Sequence, residues 1–326
     1  MAKKLSSIVR KAPGFASYKI AVLVPCYNEA AAVAKVVEDF KATLPQATIF
    51  VFDNNSTDNT AEAARAAGAE VFEEKHQGKG FVVRRMFADI EADIYVLVDG
   101  DATYDAPSAP AMIRRLLEGR LDMVVGNRVE REQAAYRAGH RAGNWLLTGF
   151  VAAVFGSKFN DMLSGYRVFS RRFVKSFPVI SDGFEIETEL TIHALELSLP
   201  AAEIDTPYYS RPAGSASKLN TWRDGFRILG TVVSLYRAER PLIFFSGIGL
   251  LMAILSVVFA VPLFVTYFET GLVPRLPTAI LSTGLMMLAS LSVAVGLVLD
   301  TVTRGRRETK LLAYLSHRAP GEERRH

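Results

Sequence analysis

The sequence predicts an α/β domain with a mostly parallel sheet flanked by helices, followed by an amphipathic helix and two long apolar C-terminal helices. Three observations predict it. Short apolar runs alternate with helix-like segments between Lys19 and Gly126. Polar clusters follow three of those runs directly, at Pro25–Glu29, Asp53–Asp58 and Asp99–Thr103. Two stretches without a charged residue, Leu242–Phe268 and Leu276–Leu299, lie near the C-terminus.

A basic segment, 1–18, comes first. Ile20–Val24, Thr48–Phe52, Ile94–Val98 and Met123–Val125 read as buried strands, being short apolar runs bounded by polar residues. Ala30–Leu44, Thr60–Ala67, Gly80–Glu91 and Ala109–Glu118 read as helices, with Asn28 capping the first and Asp58 or Asn59 the second. Strands separated by helices of this size make βαβ units and a parallel sheet. Further helices are predicted over Arg141–Phe155 and over Phe184–Leu197, which carries Glu185, Glu187 and Glu189. The domain so defined covers 19–220.

Residues 221–240 mix Trp222, Phe226, Leu229, Val233 and Tyr236 with Arg223, Arg227 and Arg237. This amphipathic helix either lies in a membrane interface or packs on the soluble core. In 241–303 each uncharged stretch exceeds the ~20 residues that cross a bilayer core. Basic residues sit before the pair (Arg237, Arg240), after it (Arg304, Arg306, Arg307, Lys310) and at the N-terminus (Lys3, Lys4, Arg10, Lys11). By the positive-inside rule, both termini, residues 1–240 and the basic tail 304–326 are cytoplasmic, and the link Glu269–Arg275 faces outward. The N-terminus has no signal-peptide apolar core.

Composition narrows the function. Hydrophobic residues make up 50% of the chain, as expected of a membrane protein. Cys26 is the sole cysteine, which excludes an intramolecular disulfide and reads as a small buried residue. A net charge of +4 without a basic stripe interleaved with aromatics argues against nucleic-acid binding. The five histidines, His76 and His193 among them, show no metal-ligand spacing.

Open α/β sheets bind ligands at the C-terminal ends of their strands, and three polar clusters fall there. Asp99 and Asp101, one residue apart, suit a hard divalent cation, Mg²⁺ or Mn²⁺, that also holds nucleotide phosphates. Gly78-Lys79-Gly80 is no Walker loop, lacking both the upstream Gly and the Ser or Thr after Lys.

Val24-Pro25-Cys26-Tyr27-Asn28-Glu29, Asp53-x-x-Ser56-Thr57-Asp58, Gly78-Lys79-Gly80 and Asp99-Gly100-Asp101 resemble the successive signatures of GT-A glycosyltransferases of family 2. Gly126-Asn127-Arg128, Arg141-Ala142-Gly143-Asn144, Asp161-x-x-Ser164-Gly165-Tyr166-Arg167 and Ser217-Lys218-Leu219 resemble the polyprenyl-phosphate glycosyltransferases among them, the dolichol-phosphate mannose synthases being the best known. The likeness runs from Ile20 to Leu219. It implies inverting transfer of one sugar from a UDP- or GDP-sugar to a polyprenyl (undecaprenyl or dolichyl) phosphate at the cytoplasmic membrane face. By the resemblance, Pro25, Tyr27, Glu29 and Asp53 take the donor base and ribose, with Lys79 near phosphate or base. Asp99 and Asp101 hold the metal on the donor diphosphate. Arg128 and Arg141 meet the acceptor phosphate, supported by Arg211, Lys218 and Ser164. Arg167 is placed either on phosphate or on Asp161. A homo-oligomer is compatible with the family.

Three positions depart from the pattern. Asn54 and Asn55 follow Asp53 where many relatives carry acids, and Thr103 stands where Gln is frequent. Two other readings remain open at this point. One is a processive polysaccharide synthase, whose Gln-x-x-Arg-Trp motif is absent although Trp222-Arg223 occurs; the other is a non-catalytic membrane scaffold of the same fold.

Overall fold

A computed structural model describes residues 15–130, 159–179, 186–211, 233–234 and 236–321. The helix expected over Arg141–Phe155, the candidate site residues Arg141 and Lys218, and residues 221–232 of the amphipathic segment lie outside these. The chain divides into two compact units, Met1–Gly225 with Lys310–His326, and Phe226–Thr309.

In the first unit the chain runs through β1 (Ile20–Cys26), α1 (Val33–Thr43), β2 (Thr48–Asp53), α2 (Thr60–Ala66), β3 (Glu70–Glu73), α3 (Lys79–Asp89), β4 (Ile94–Leu97), α4 (Ala109–Glu118), β5 (Met123–Glu130), β6 (Arg167–Ser170), α5 (Arg171–Ser176), α6 (Ile186–Glu196) and β7 (Ala201–Tyr208). The seven strands form one sheet in the order β3-β2-β1-β4-β6-β5-β7. β6 is antiparallel to both β4 and β5, and the other pairings are parallel. The sheet is therefore mixed, with one reversed strand.

β1 is an uninterrupted apolar run because both its faces are covered. Ile20, Val22, Val24 and Cys26 join α1 (Val33, Val36, Val37, Phe40) and α4 (Met112, Ile113, Leu116) in one core. On the other side, Phe87 of α3 packs edge-on against Tyr95, Phe169 and Phe177, and Phe169 stacks on Phe173. Each such side chain contributes about 1.5–3 kcal/mol by leaving water. Parallel register sets Cys26 beside Asp53 and Asp53 beside Glu73, so three loops leave the sheet at one height.

The helix caps differ from expectation. Asn28 does not cap α1, which begins after Ala32 without a side-chain cap bond. Instead its Oδ1 accepts the Thr57 N–H at 2.7 Å from a left-handed backbone, φ 53°. Asn59 occupies the N-cap position of α2 without a side-chain bond, while Asp58 Oδ1 accepts the Thr60 N–H at 3.1 Å.

Around Asp122, which is fully buried, the first unit ties in a distant part of the chain. Asp122 accepts from Arg172 Nε (2.5 Å) and Nη2 (2.8 Å), Ser170 Oγ (2.7 Å) and the Tyr314 hydroxyl (2.9 Å). Arg172 also lies over the Tyr314 ring, 4.6 Å from its centroid. Lys310 pairs with the buried Glu196 at 2.7 Å. Residues of the expected basic tail are thus helical, as the last turns of α8 (Leu276–Leu315), and are bonded into the first unit.

The second unit contains α7 (Pro241–Thr270) and the greater part of α8. Both helices are long and apolar enough to cross a membrane. Gly249, Ser256 and Leu263 on α7, and Ser282, Ala289 and Gly296 on α8, are the buried positions of their apolar stretches and recur every seventh residue. Small residues there let the backbones close: Ser256 Oγ donates to the Ser282 carbonyl at 2.7 Å and Ser292 Oγ to that of Phe245 at 2.8 Å. The outward residues, Leu250, Leu251, Phe264, Met287 and Leu291 among them, are exposed.

His193, buried on α6, has Phe173 and Phe177 against its ring and, among the described residues, one hydrogen-bond partner, Ser176 Oγ, at 3.2 Å. Burial, then the Lys310 charge, lowers its pKa to about 3. The unfolded imidazole titrates near 6.5, so the neutral folded form stabilises the fold above pH 6.5, and that contribution is lost as pH falls toward 3. Thermal or urea unfolding in detergent is expected to weaken by up to ~1.4 kcal/mol per pH unit below about 6. His193→Leu is expected to flatten that slope.

Candidate active site

The candidate site lies at the C-terminal edge of the sheet, where hydrogen bonds between the loops fix their shape. The bonds that join the β1–α1 and β2–α2 loops include Asn28 N–H to Ser56 Oγ, Glu29 N–H to Thr60 Oγ1, Ala30 N–H to Asp58 Oδ2, and both the Thr57 N–H and its hydroxyl to Asn28 Oδ1. Asn54 ties in the next loop. Its Nδ2 donates to the carbonyls of Glu74 (3.0 Å) and His76 (2.7 Å), and its Oδ1 accepts the Gly78 N–H (2.8 Å). An Asp there would keep the last bond and set a carboxylate against two carbonyls, so the departure at Asn54 is a matter of loop anchoring. Gly78 has φ 144°, which a Cβ would strain, and it delivers Lys79 to the first turn of α3.

The predicted residues Pro25, Tyr27, Glu29 and Asp53 sit along this edge. Pro25 lies beyond the last β1–β4 pair, Leu23 with Leu97, so its missing N–H breaks no bond on that side. Asp53 is buried; Oδ2 accepts the Ser56 N–H at 3.1 Å. Among the described residues its Oδ1 has no hydrogen-bond partner, the arrangement expected of an acceptor oxygen kept for a ligand.

Asp99 and Asp101 follow β4 and are each met by a cation. Lys79 Nζ donates to Asp99 Oδ1 at 2.5 Å and also to Glu187 at the start of α6. Burial alone would depress the Lys79 pKa, but the charges of Asp99 and Glu187 outweigh it and hold the ammonium above its ordinary value. Arg211 Nη2 pairs with Asp101 Oδ2 at 2.8 Å, while Asp101 Oδ1 accepts from Thr103 Oγ1 at 2.6 Å. Burial and the Asp99 charge push the Asp101 carboxyl up, against Arg211 and Thr103. Thr103 thus anchors Asp101, and a Tyr104–Tyr208 bridge with Tyr209 N–H on the Thr103 carbonyl ties the segment ahead of Arg211 to this loop. Among the described residues no group of three or more His, Cys, Asp or Glu forms a metal-binding cluster.

Cys26, buried beside Gly100, is no nucleophile. Burial first, then Glu29, Asp53, Asp99 and Asp101, pushes its thiol well up, so the reactive thiolate is suppressed.

On β5, Arg128 is gripped by Asp161 in a two-point pair, Nε to Oδ2 at 2.6 Å and Nη2 to Oδ1 at 2.8 Å. Its guanidinium also lies over the Tyr208 ring. Arg167 meets neither expectation held for it. It is wholly buried, donating to the carbonyls of Ser164 (2.9 Å) and Met162 (2.6 Å) and to Thr191 Oγ1 (2.8 Å). Burial lowers its pKa to about 10, with Glu187 and Asp161 opposing, so it stays charged as a brace. Ser164 is corrected likewise: buried, it donates to the Gly126 carbonyl at 2.6 Å. Glu187 and Gly165 also border the candidate site: sequence reasoning held Gly165 only as part of a motif, with no role, and the Glu185-Ile186-Glu187-Thr188-Glu189 run was the available signal for Glu187.

The matching family model, "Glycosyl transferase family 2", covers residues 21–177. Protein RfbJ of Shigella flexneri is 60% identical over 126 residues, 38% of this chain and 98% of that one. Glycosyltransferase AglJ of Haloferax volcanii is 36% identical over 232 residues, 71% of this chain and 76% of its own. The dolichyl-phosphate hexose transferase of the same archaeon is 27% identical over 221 residues, covering 68% and 95%. Among solved structures, glucosyl-3-phosphoglycerate synthase from Mycobacterium tuberculosis, in complex with Mn²⁺, UDP and phosphoglyceric acid, superposes with a TM-score of 0.56 at 23% identity, covering 68% of this chain and 78% of that one. The fold is of the GT-A class. The chain belongs to glycosyltransferase family 2.

Gly165 has a steric reason to be glycine: a Cβ there would lie 2.4 Å from Asp99 Oδ2. Gly165→Ala is expected to fold with little change in melting temperature while displacing the Asp99 carboxylate. Sugar transfer should fall roughly 10²-fold, as misplacement by about 1 Å does at a reacting centre; assaying transfer beside thermal unfolding checks it.

Proposed function

We propose that this glycosyltransferase moves one hexose-type sugar from a UDP- or GDP-sugar to a polyprenyl phosphate at the cytoplasmic membrane face, with inversion. The observation that carries the reading is the convergence on one sheet edge of a buried Asp53 with an unpartnered oxygen, the Asp99–Asp101 pair and the clamped Arg128. Support for the lipid acceptor comes from the two long apolar helices and from the relative named a dolichyl-phosphate hexose transferase. A polyprenyl chain cannot leave the bilayer, so the enzyme that uses it must be held there.

Asp53, Glu29, Tyr27 and Pro25 line the donor nucleoside, and Lys79 meets its phosphates. Asp99 and Asp101 fit a divalent cation: they are two neighbouring carboxylates, one of them buried, paired with the Arg211 charge and hydrogen-bonded by Thr103. Two carboxylates plus donor phosphates and water complete the oxygen shell such ions take. Mg²⁺ or Mn²⁺ held there supplies neutralisation of the charge that builds on the departing nucleoside diphosphate.

An acceptor phosphate is anionic at neutral pH and attacks the anomeric carbon without a strong general base. The difficulty is repulsion between it and the donor diphosphate. Arg128 answers this, its guanidinium aimed by Asp161 and Tyr208 before any anion arrives. Arg211 and, by the family resemblance, Arg141 and Lys218 add to the same positive wall. Arg167 and Ser164 leave that set because both are spent inside the fold.

The test is transfer by the full chain in detergent with Mn²⁺ or Mg²⁺, a short polyprenyl phosphate and a panel of UDP- and GDP-sugars, read by mass spectrometry. One hexose mass added to the lipid is expected, lost on chelation and reduced about 10²-fold or more in Asp101→Asn. A ladder of sugar masses, or product unaffected by Asp101→Asn, would overturn the reading.

A further inference from the structure

Lys79 has two carboxylate partners, and one of them belongs to no expected part of the site. Glu187 lies in the first turn of α6, its side chain 7% exposed, against 10% for Lys79. Helix α6 is braced there by the buried Arg167, which donates to Thr191 Oγ1, while that hydroxyl donates to the Glu187 carbonyl at 3.0 Å. Glu187 is therefore held rigidly, on an element separate from the strand ends that carry Asp99 and Asp101. A buried ammonium stripped of its only counter-ion would be costly; one with a second anchor can give up the first.

We propose that Glu187 is a positioning residue that acts through Lys79, keeping the lysine paired when a divalent cation takes Asp99. Lys79 is the resident cation on Asp99 and competes with a metal for it. With Glu187 present, the lysine swings off Asp99 and keeps one carboxylate, its charge turned to the donor phosphates. Without Glu187, its whole charge rests on Asp99, and the metal must displace a tighter ion pair. This rests on the reading of Asp99 and Asp101 as the metal site.

The experiment is a titration of the full-length protein in detergent with Mn²⁺ alone, free Mn²⁺ being read by electron paramagnetic resonance. Lys79→Met is expected to bind Mn²⁺ several-fold tighter, having lost the competitor, and Glu187→Gln several-fold weaker. Both effects are compatible with mere changes in local charge, so the double variant decides. If Glu187 acts through Lys79, adding Glu187→Gln to Lys79→Met changes Mn²⁺ affinity little. If Glu187→Gln weakens binding by the same factor in both backgrounds, or not at all in either, the proposal is overturned. Melting temperatures within a few degrees of the parent establish that the variants fold. Asp99→Asn and Asp101→Asn distinguish the two levels: unchanged Mn²⁺ binding in these sinks the metal-site reading itself, whatever Glu187 does.

Discussion

The first unit is organised by one electrostatic constraint: two carboxylates stand one residue apart, one of them buried, and their negative charge must be offset by cations nearby. Asp101 is buried, and both burial and Asp99 work against its charge. The chain answers with cations from two directions, Lys79 from the start of α3 and Arg211 from beyond β7. Each arrives only because something else is fixed. Lys79 depends on the Gly78 turn held by Asn54, and Arg211 follows the Tyr104–Tyr208 bridge. Charge pairs in such surroundings gain much more than in water and are penalised as heavily when unpaired, so the loops are bonded together before any ligand arrives.

The non-glycine residues with left-handed backbone include Asn28, Asn55 and Ala102, one in each of the three strand-end clusters. Asn tolerates that region; Ala there carries about 1–2 kcal/mol of strain. Ala102 sits between Asp101 and Thr103, and its turn brings the Thr103 hydroxyl and N–H back onto Asp101. Strain of this kind persists where the surroundings over-determine it, and the hydrogen-bonded loops do so here.

The residues that read clearly from sequence were those whose neighbours in the chain are their neighbours in function. Four strands and four helices of the first half stood out because both faces of a parallel sheet are buried and βαβ spacing is local. β3, β6 and β7 did not. β3 is a four-residue edge strand with Glu at both ends, β6 starts on a charged Arg, and β7 is a half-buried edge strand with an internal Pro. Each is a strand by virtue of its partner, not its own pattern. Asp99 and Asp101 were legible as a pair; Glu187 was not, since it reaches Lys79 across 108 positions. The return of Tyr314 and Lys310 to Asp122 and Glu196 was equally hidden, because a basic run after an apolar stretch carries the same signal whether it is solvated or docked.

The segment from Asp161 to Arg167 shows how a run of polar residues near a site can serve it without touching substrate. Asp161 aims Arg128, Ser164 holds the Gly126 carbonyl, Gly165 clears space for Asp99, and Tyr166 fills the core against Phe40. Arg167 binds the Met162 and Ser164 carbonyls and steadies α6, on which Glu187 sits. Read as a string, the Ser and Arg look like phosphate ligands, because those residue types do bind phosphate. Burial decides otherwise: a guanidinium with no exposed surface, bonded to two carbonyls and a hydroxyl inside the fold, does not reach an anion in the cleft. The segment's contribution is to deliver one carboxylate and one guanidinium, Asp99 and Arg128, from different strands in fixed positions, and fixed placement is what the proposed transfer between two anions requires.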